Sequence, residues 1–553
     1  MTGLGLTLLL ALGAALVLGA IAHRLRLPPM IGYIVAGLAV GPATPGFVAD
    51  REEVLALADI GVALLMFSIG LQFSIGELRS VGARVLAATP LQVAITLGIG
   101  TGTGLLMGWS PVESLFIGGA VSVCSTVVLV KVAGEGTLHT TSYGRTALGV
   151  SIVQDLVTVV LVVALTALGG AEDRTLADLL VSVGIALGFV ALVVILGSRV
   201  FPRLLGMVAG LRSRELFVIS VAVLSIGTAF AAAALGVSVA LGAFVAGLAL
   251  SDSDLTASVL GEIVPLRELF SVFFFVSIGI LLQPAAIIDA WPTVVALLLI
   301  ITLGKAIPVA ALARFDGQRP SSAVRAGALI GQSGEFSFVL ASAGLAVGAV
   351  ASDTFSLAMG ATVISIVTAA PLASLAGRIG PWLDRRAPQP VLPGDEPPVN
   401  LRRHAIILGY GRVGKAVARV LGSRGFAWVA IDGDYALARR ARLEGASIIY
   451  GEAGAPTVLD RAGVVDAHAM IIAIPDALAT RQAAAYAKVR NHRIEIVARA
   501  HSEADEEELR RIGVARVVVA DRELGNELIR HALRRFGVSD REVAAFLVDR
   551  RQR

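Results

Sequence analysis

An adjacent glutamine and aspartate, Gln154 and Asp155, lie inside the apolar stretch ALGVSIVQDLVTVVLVVAL, which is long enough to cross a membrane. A carboxylate at the centre of a bilayer costs roughly 2.5–3.5 kcal/mol on insertion scales. Proteins accept this cost where the group faces a cavity or a partner, so an intramembrane carboxylate indicates an ion or proton site. A structural aspartate that a neighbouring helix satisfies is the alternative interpretation.

Three further apolar segments, 121–131, 303–311 and 329–340, contain polar residues, and the last two also contain glycine or proline. Secondary transporters build ion sites near the membrane midplane from helices broken in this way, because the breaks free carbonyls and orient helix ends. The segments 121–131 and 329–340 fall in corresponding positions of two possible inverted repeats, where broken helices would cross. The polar residues concerned are Ser122, Ser125, Thr126, Lys305, Gln332, Ser333, Glu335 and Ser337.

These polar residues also have simpler interpretations. Serine and threonine in a membrane helix often serve packing, and a membrane lysine such as Lys305 can extend its ammonium to the interface. Taken together, a buried acid, a buried base and two polar breaks favour a transport site. Asp155 would then exchange a proton for a monovalent cation, because burial disfavours a charged carboxylate.

The charge of each remaining site residue suggests its role. Gln154 offers a neutral carbonyl, and Lys305 is expected to pair with Asp155 when no cation is bound. Glu335 is either a second proton carrier or a structural clamp to a basic residue. A single carboxylate at the core is consistent with one-for-one, electroneutral exchange.

Composition divides the chain into two parts. The 553 residues are 56% hydrophobic and only 16% charged, with a mean hydropathy of +0.80, which indicates an integral membrane protein. We predict a membrane domain over 1–383, a Pro-rich linker over 384–400 and a soluble domain over 401–553. The membrane spans are expected near 4–21, 29–41, 54–72, 84–107, 112–131, 145–168, 178–198, 215–233, 236–251, 266–283, 289–313, 323–347 and 354–379.

The basic residues predict the orientation of these spans. The net charge of +4 comes with arginines in short loops, where they set topology, so it is no nucleic-acid signal. Outer loops would carry only Arg51 and Arg174, which places the N-terminus outside and the soluble domain in the cytosol. The single cysteine, Cys124, excludes an internal disulfide. The expected inner positions hold Arg24, Arg26, Arg79, Arg84, Lys131, Arg145, Arg267 and the arginines within 199–214, 314–325 and 378–386.

The soluble part begins with HAIILGYGRVGKAVARVL (404–421), a predicted strand, a glycine-rich turn and a helix. A second strand ends in Asp432, eighteen residues after the last glycine. This order is typical of dinucleotide binding, in which glycines allow a pyrophosphate to approach and an acid binds ribose hydroxyls. A domain that has lost its ligand and only dimerises is the alternative. The candidate nucleotide-binding residues are Gly409, Gly411, Arg412, Gly414, Asp432 and Glu452.

Several motifs together resemble the monovalent cation:proton antiporter-2 family, specifically its Kef-type potassium efflux proteins and their YbaL-like branch. In the soluble domain, GYGRVG, AIDGD, YGEA and IVARA are similar to the TrkA-N, or RCK, regulator of potassium transport. The membrane motifs are LPPMIGYIVAGLAVGP (27–42), GVALLMFSIGLQFS (61–74), STVVLVK (125–131), GVSIVQDL (149–156), LGAFVAGLALS (241–251), FFFVSIGI (273–280) and GQSGEFSFVL (331–340).

This resemblance implies a polytopic helical membrane protein of about thirteen helices, with inverted repeats, crossed broken helices and an α/β Rossmann-like RCK domain. It implies a dimerisation half and a mobile transport half, in the inner membrane of a prokaryote. Asp155 would exchange potassium, or sodium, for protons. The RCK domain would dimerise and bind an adenine nucleotide, AMP or NAD(H), through Gly409, Gly411, Gly414 and Asp432.

Two positions depart from the family pattern. Glu452 stands where an aspartate is more usual. The loop after residue 251 keeps only Glu262 of an acidic gating element found in Kef proteins, which favours the YbaL-like branch over glutathione gating.

Three other functions deserve comparison with potassium/proton exchange. A sodium/proton antiporter would use the same mechanism. An RCK-gated channel is disfavoured because the chain has no carbonyl-filter sequence such as TVGYG. An NAD-dependent enzyme on a membrane anchor is disfavoured because the soluble part has one nucleotide-sized unit and no evident substrate domain. We therefore expect a transporter and not an enzyme.

Overall fold

The computed structural model describes residues 4–25, 27–42, 44, 51–72, 81–134, 138, 141–168, 184–185, 188–386, 403–500, 503–543 and 546. Packing divides the chain into two compact units. The first comprises Met1–His139 with Tyr143–Arg386, and the second comprises Thr140–Ser142 with Ala387–Arg553. Of the predicted linker 384–400, residues 384–386 end a helix and the remainder lies outside the described residues.

The first unit is helical in all its described elements. Among these described elements, ten helices have the length and composition to cross a membrane, with Pro111–Ser122 and Thr126–Ala133 counted as one. Three shorter apolar helices are Pro29–Val40, Val239–Leu250 and Glu335–Ala346. Together they fall on the thirteen predicted segments, which confirms the predicted membrane fold. The helices are α1 Leu4–Arg24, α2 Pro29–Val40, α3 Arg51–Gln72, α4 Ala83–Leu106, α5 Pro111–Ser122, α6 Thr126–Ala133, α7 Ser142–Leu168, α8 Gly188–Gly210, α9 Arg214–Ala234, α10 Val239–Leu250, α11 Thr256–Leu281, α12 Pro284–Asp289, α13 Trp291–Phe315, α14 Pro320–Ile330, α15 Glu335–Ala346 and α16 Ser352–Arg386.

Two predicted boundaries are wrong. The seventh span does not end at residue 198, because α8 continues through a π-helical turn at Val193–Gly197 and includes Arg199 and Arg203. Both arginines are exposed. The aliphatic part of an arginine side chain can cover apolar surface while its guanidinium stays in polar surroundings. Arg267 also lies within a helix, α11, which includes Pro265 and begins ten residues before the predicted span.

Local sequence explains the two helix breaks. Helix α5 ends at Ser122, and α6 begins at Thr126. Ser125 is the N-cap of α6, because its hydroxyl accepts a hydrogen bond from Val128 N at 3.3 Å. Such N-caps satisfy amide groups that have no partner within the helix. The second break, residues 331–334, separates α14 from α15 and contains two glycines. Both predicted breaks are therefore present.

The membrane helices pack mainly within two groups. The first helix group contains α1–α3 and α8–α11, and the second contains α4–α6 and α13–α16. Glycines allow backbones in the first group to approach closely, as is common between membrane helices. A Cβ atom on Gly247 of α10 would lie 2.1 Å from the Phe67 carbonyl oxygen of α3, and one on Gly70 of α3 would lie 2.2 Å from the Phe244 oxygen.

The second unit contains a six-stranded parallel sheet in the order β3-β2-β1-β4-β5-β6, with helices between successive strands. This arrangement confirms the predicted Rossmann-like fold. Its apolar strands are buried, as expected for a sheet covered on both faces. The elements are β1 Ala405–Leu408, α17 Arg412–Ser423, β2 Trp428–Asp432, α18 Tyr435–Leu443, β3 Ile448–Tyr450, α19 Pro456–Arg461, β4 Ala469–Ile472, α20 Ala477–Arg490, β5 Glu495–Ala500, α21 Glu503–Ile512, β6 Arg516–Val519 and α22 Ala520–Arg535.

The close approach of α3 and α10 gives a stability prediction. Gly247→Ala places a methyl group against a backbone carbonyl, so we expect a loss of about 1–3 kcal/mol in stability. Gly98→Ala in α4 is the matched control, because a Cβ atom there meets nothing within 4 Å. Thermal unfolding of both variants in detergent checks this. Equal unfolding midpoints for the two would contradict the role of the contact.

Candidate functional site

The two helix breaks contact each other through Gln332. Its side-chain carbonyl accepts a hydrogen bond from Ser125 N at 3.3 Å, and its amide donates to Ser125 O at 2.9 Å. Gly334 allows this approach, because a Cβ atom there would lie 2.0 Å from the Ser125 Cβ. Gln332 and Ser125 are both buried, so one side chain satisfies backbone groups that the first break leaves free.

Lys305 joins the same two breaks from a third helix. Its fully buried ammonium donates to Val123 O and Gln332 O, both at 2.6 Å, and to the Ser333 hydroxyl at 3.2 Å. Among the described residues it makes no ion pair with Asp155, so the expected pair is not formed in this structure. The reason is geometric: two carbonyls that the breaks release and the Ser333 hydroxyl already accept all three ammonium protons.

Asp155 lies beside the first residue of α6. Thr126 donates a hydrogen bond from its hydroxyl to the Asp155 carboxyl at 3.1 Å and lies 2.6 Å from the Ser151 hydroxyl. Asp155 is partly exposed, whereas its neighbour Gln154 is fully buried. The carboxyl therefore lies beside a helix N-terminus, where the helix dipole favours negative charge.

Gln154 belongs to a buried chain of hydrogen bonds. Its carbonyl accepts from Cys124 N at 2.8 Å, and its amide donates to the Gln92 carbonyl at 2.6 Å. Gln92 in turn donates to Thr96 at 3.1 Å, and Thr96 donates to Gly304 O at 2.9 Å. The Gln154 carbonyl, expected as a neutral ligand, thus already fixes the first break.

Sequence reasoning missed Gln92 and Thr96, although their spacing is informative. They stand one helical turn apart in the apolar stretch LQVAITLGIG, so they share one face of α4. Two of the predicted polar residues do not join the network. The Ser122 hydroxyl donates to Gly119 O of its own helix, and within the described part of the chain the Ser337 hydroxyl has no hydrogen-bond partner.

Glu335 is the first residue of α15 and is partly exposed. It follows Gly334, the residue that approaches Ser125 of the first break. Asp155 and Glu335 are thus two partly exposed acidic residues at the N-termini of two half-helices. Both stand beside breaks that Lys305, Gln332 and Gln154 fix in place.

In the second unit, the candidate nucleotide residues meet at the carboxyl ends of the strands. Gly409 follows β1 with φ +92°, and a Cβ atom on Gly414 would lie 1.8 Å from the Gly409 oxygen. Asp432, at the end of β2, accepts hydrogen bonds from Tyr410 N at 2.7 Å and Asp434 N at 2.8 Å. Exposed residues complete this edge: Gly411, Arg412 and Glu452.

This edge fits a nucleotide in its shape and charge. Nothing lies within 4 Å of a Cβ atom on Gly411, so the turn is open on its outer side. Tyr410 stacks on Trp428 with ring centroids 5.8 Å apart, and burial raises the pKa of the Tyr410 phenol, which keeps it neutral beside the turn.

Comparison with known proteins also distinguishes an N-terminal membrane domain from a C-terminal nucleotide-binding-type domain. A family model described as a transmembrane sodium/hydrogen exchanger matches residues 10–374, and a TrkA-N domain model matches residues 405–520. The chain is 33% identical over 527 residues to the putative cation/proton antiporter YbaL of Escherichia coli K12, covering 93% of this chain and 94% of that protein. It is 27% identical to the putative K(+) efflux antiporter KefB of Alkalimonas amylolytica, covering 98% and 83% respectively.

A solved structure supports the membrane fold. The sodium proton antiporter MjNhaP1 of Methanocaldococcus jannaschii superimposes with a TM-score of 0.51 at 17% identity, covering 68% of this chain and 97% of that one. The chain belongs to the sodium/hydrogen exchanger family of cation/proton antiporters and carries a C-terminal TrkA-N domain. It is therefore a multi-span transporter and not an enzyme.

The hydrogen bonds of Lys305 lead to a second prediction. Lys305→Met leaves Val123 O and Gln332 O without a donor, and an unsatisfied buried acceptor costs about 1–3 kcal/mol. We expect a lower unfolding temperature and faster maleimide labelling of Cys124, the single cysteine, which is buried at the first break. Lys131→Met is the control, because Lys131 is exposed and, among the described residues, donates only to Leu27 O. Labelling at the wild-type rate in Lys305→Met would show that Lys305 does not hold the breaks.

Proposed function

We propose that this protein exchanges potassium for protons, with Asp155 as the residue that carries either one. The observation that carries this proposal is the contrast between Asp155, which is partly exposed, and the buried Lys305 and Gln332, which fix the backbone around it. A rigid frame around a partly exposed acidic residue is what a selective exchange site needs.

The exchange follows from charge balance. A protonated Asp155 is neutral, and after the proton leaves, the carboxylate binds a cation. The Thr126 hydroxyl lies 3.1 Å from the Asp155 carboxyl and 2.6 Å from the Ser151 hydroxyl. These hydroxyls offer oxygen ligands, which hard monovalent cations prefer. One charge replaces another, so the exchange is one-for-one and electroneutral. Glu335 is a second carboxyl that holds or passes on a proton. Alternating access then moves the second helix group against the first.

Potassium is the favoured cation because a relative of which this chain covers 83% is named a putative potassium efflux antiporter. We further propose that the membrane domain spans 1–383 and connects by the segment 384–400 to the RCK domain, 401–553. The N-terminus faces outwards and the RCK domain faces the cytosol of a prokaryotic cell, as the basic loops indicate. Homodimers form through both domains.

The RCK domain regulates transport by binding an adenine nucleotide, AMP or NAD(H). The support is the open glycine turn at Gly411, the adjoining N-terminus of α17, and Asp432 at the end of β2. When bound, the phosphates would be held by the turn with Arg412, and the ribose hydroxyls by Asp432. Glu452 stands at the same edge and is placed to contact the ligand.

The exchange proposal predicts a specific flux. In proteoliposomes with an internal pH dye, a potassium pulse dissipates a preformed pH gradient in the wild type, independently of a voltage clamp. Asp155→Asn cannot release a proton, so flux falls to the level of protein-free liposomes. Asp59→Asn is the matched control, because Asp59 is an exposed carboxyl in α3 of the first helix group.

Other outcomes of this measurement identify other functions. Gradient dissipation by sodium alone would make the protein a sodium/proton antiporter with the same site. Flux that follows voltage and survives Asp155→Asn would overturn the exchange mechanism and favour a channel-like path.

The nucleotide proposal gives a binding prediction. Titration of the full-length protein in detergent with AMP and with NADH measures a dissociation constant for each. Asp432→Asn loses charged hydrogen bonds to the ribose, so affinity falls about 10- to 100-fold. Asp466→Asn is the control, because Asp466 is exposed and precedes β4 at the opposite edge of the sheet. Failure of the wild type to bind either nucleotide would favour a domain that serves only dimerisation.

A further inference from the structure

Helix α13 is irregular on both sides of Lys305. A π-helical turn, Ile300–Gly304, comes directly before it, and turns of this kind are rare and frequently lie at functional sites. Pro308 follows three residues after Lys305 and has no backbone N–H to donate. The carbonyl of Gly304, four residues before Pro308, therefore lacks the amide partner that a regular helix would give it.

Thr96 of α4 supplies the donor that Pro308 cannot. Its fully buried hydroxyl lies 2.9 Å from Gly304 O and 3.0 Å from Gln92 O. Gln92 O lies within α4, where helical geometry already gives it an amide donor, so the hydroxyl proton is needed at Gly304 O. The two helices are in contact here, because a Cβ atom on Gly304 would lie 3.5 Å from the Thr96 methyl carbon.

The second helix break packs against the same π-helical turn. A Cβ atom on Gly331 would lie only 3.0 Å from Thr302 O, which also accepts a hydrogen bond from Lys305 N. From this position the Lys305 ammonium reaches Val123 O and Gln332 O, both at 2.6 Å. The turn therefore determines where the ammonium stands relative to the two breaks.

The hydrogen-bond chain behind Thr96 ends at the residue next to Asp155. Gln92 donates to the Thr96 hydroxyl at 3.1 Å and accepts from the Gln154 amide at 2.6 Å. Gln154, Gln92 and Thr96 are all buried, and paired groups in such surroundings strengthen one another. Through α4, the chain thus fixes α7, which carries Asp155, against the turn that precedes Lys305.

We propose that Thr96 is a positioning residue that determines how sharply the site discriminates between potassium and sodium. By holding Gly304 O, Thr96 keeps Lys305 and the two breaks in a fixed position relative to Asp155. Potassium and sodium carry the same charge, so a site distinguishes them through the number, the placement and the stiffness of its oxygen ligands. This inference rests on the proposed exchange at Asp155.

The test is a ratio measured in proteoliposomes with an internal pH dye: the half-maximal concentration of the poorer cation divided by that of the better one. Thr96→Val keeps the shape of the side chain and removes its hydroxyl, so Gly304 O loses its donor and the turn relaxes. We expect the ratio to move towards one by about three- to tenfold. Thr96→Ser keeps the hydroxyl and should retain the wild-type ratio.

A merely structural defect has a different signature. It would lower the maximal rate for both cations and leave the ratio unchanged. Thr103→Val is the matched control, because Thr103 lies on the same helix and its hydroxyl donates to Ile99 O of α4 itself. This control should keep the wild-type ratio.

A double-mutant cycle tests the hydrogen bond itself. Pro308→Ala restores an amide that can donate to Gly304 O, so Thr96→Val should change the ratio less in the Pro308→Ala background than in the wild type. An equal change in the two backgrounds overturns the inference. The same holds for a wild-type ratio of one, an unchanged ratio in Thr96→Val, or an equal shift in Thr96→Ser and Thr96→Val.

The same preparation distinguishes this inference from the exchange proposal. If Asp155→Asn abolishes flux while Thr96→Val keeps the wild-type ratio, only the role of Thr96 is wrong. If Asp155→Asn still transports, the exchange proposal itself fails.

Discussion

The membrane domain depends on the satisfaction of backbone groups that its two helix breaks leave without helical partners. In a membrane, no water is available to bind such groups, and each unsatisfied one costs several kcal/mol. The ammonium of Lys305 and the amide of Gln332 supply the partners, and they join the two breaks in doing so. A positive charge is suited to this task because several carbonyl oxygens can share it.

This frame separates the polar residues of the site by task. Lys305, Gln332, Gln154, Gln92 and Thr96 are buried and hold the backbone, whereas Asp155 and Glu335, the proposed exchange residues, are partly exposed. A buried network with all its members paired is rigid, because each member would lose its partners if another moved. Rigidity around an accessible carboxyl allows a protein to distinguish a cation by size while it still releases it.

In both units, the N-terminus of a helix lies beside the proposed ligand site. In the membrane domain, the N-termini of α6 and α15 adjoin Asp155 and Glu335, the carboxyls of the proposed cation site. In the TrkA-N domain, the N-terminus of α17 adjoins a glycine turn and is suited to a phosphate. In both places, glycines at Gly334 and Gly414 permit an approach that a Cβ atom would prevent.

The sequence alone predicted the class of the fold with few errors. Long apolar runs identify membrane helices because length and hydropathy are local properties, and the order of strands, glycines and acid identifies the Rossmann-like domain. The errors at Arg199, Arg203 and Arg267 arose where a helix contains charge. A hydropathy window excludes such residues, although a helix can carry them on a face that is not in contact with lipid.

Only the tertiary structure determined which hydrogen-bond partner each polar side chain of the site has. The sequence predicted that Asp155, Lys305, Gln332 and Glu335 gather at two breaks, but opposite charge suggested a Lys305–Asp155 pair. In the fold, Lys305 binds carbonyls that the two helix breaks free and that lie within its reach because the two distant segments contact each other. Similarly, α4 contributes Gln92 and Thr96 through contacts over 60 residues or more along the chain. The sequence determines which groups must find partners, whereas the crossing of the helices determines which partners lie within reach.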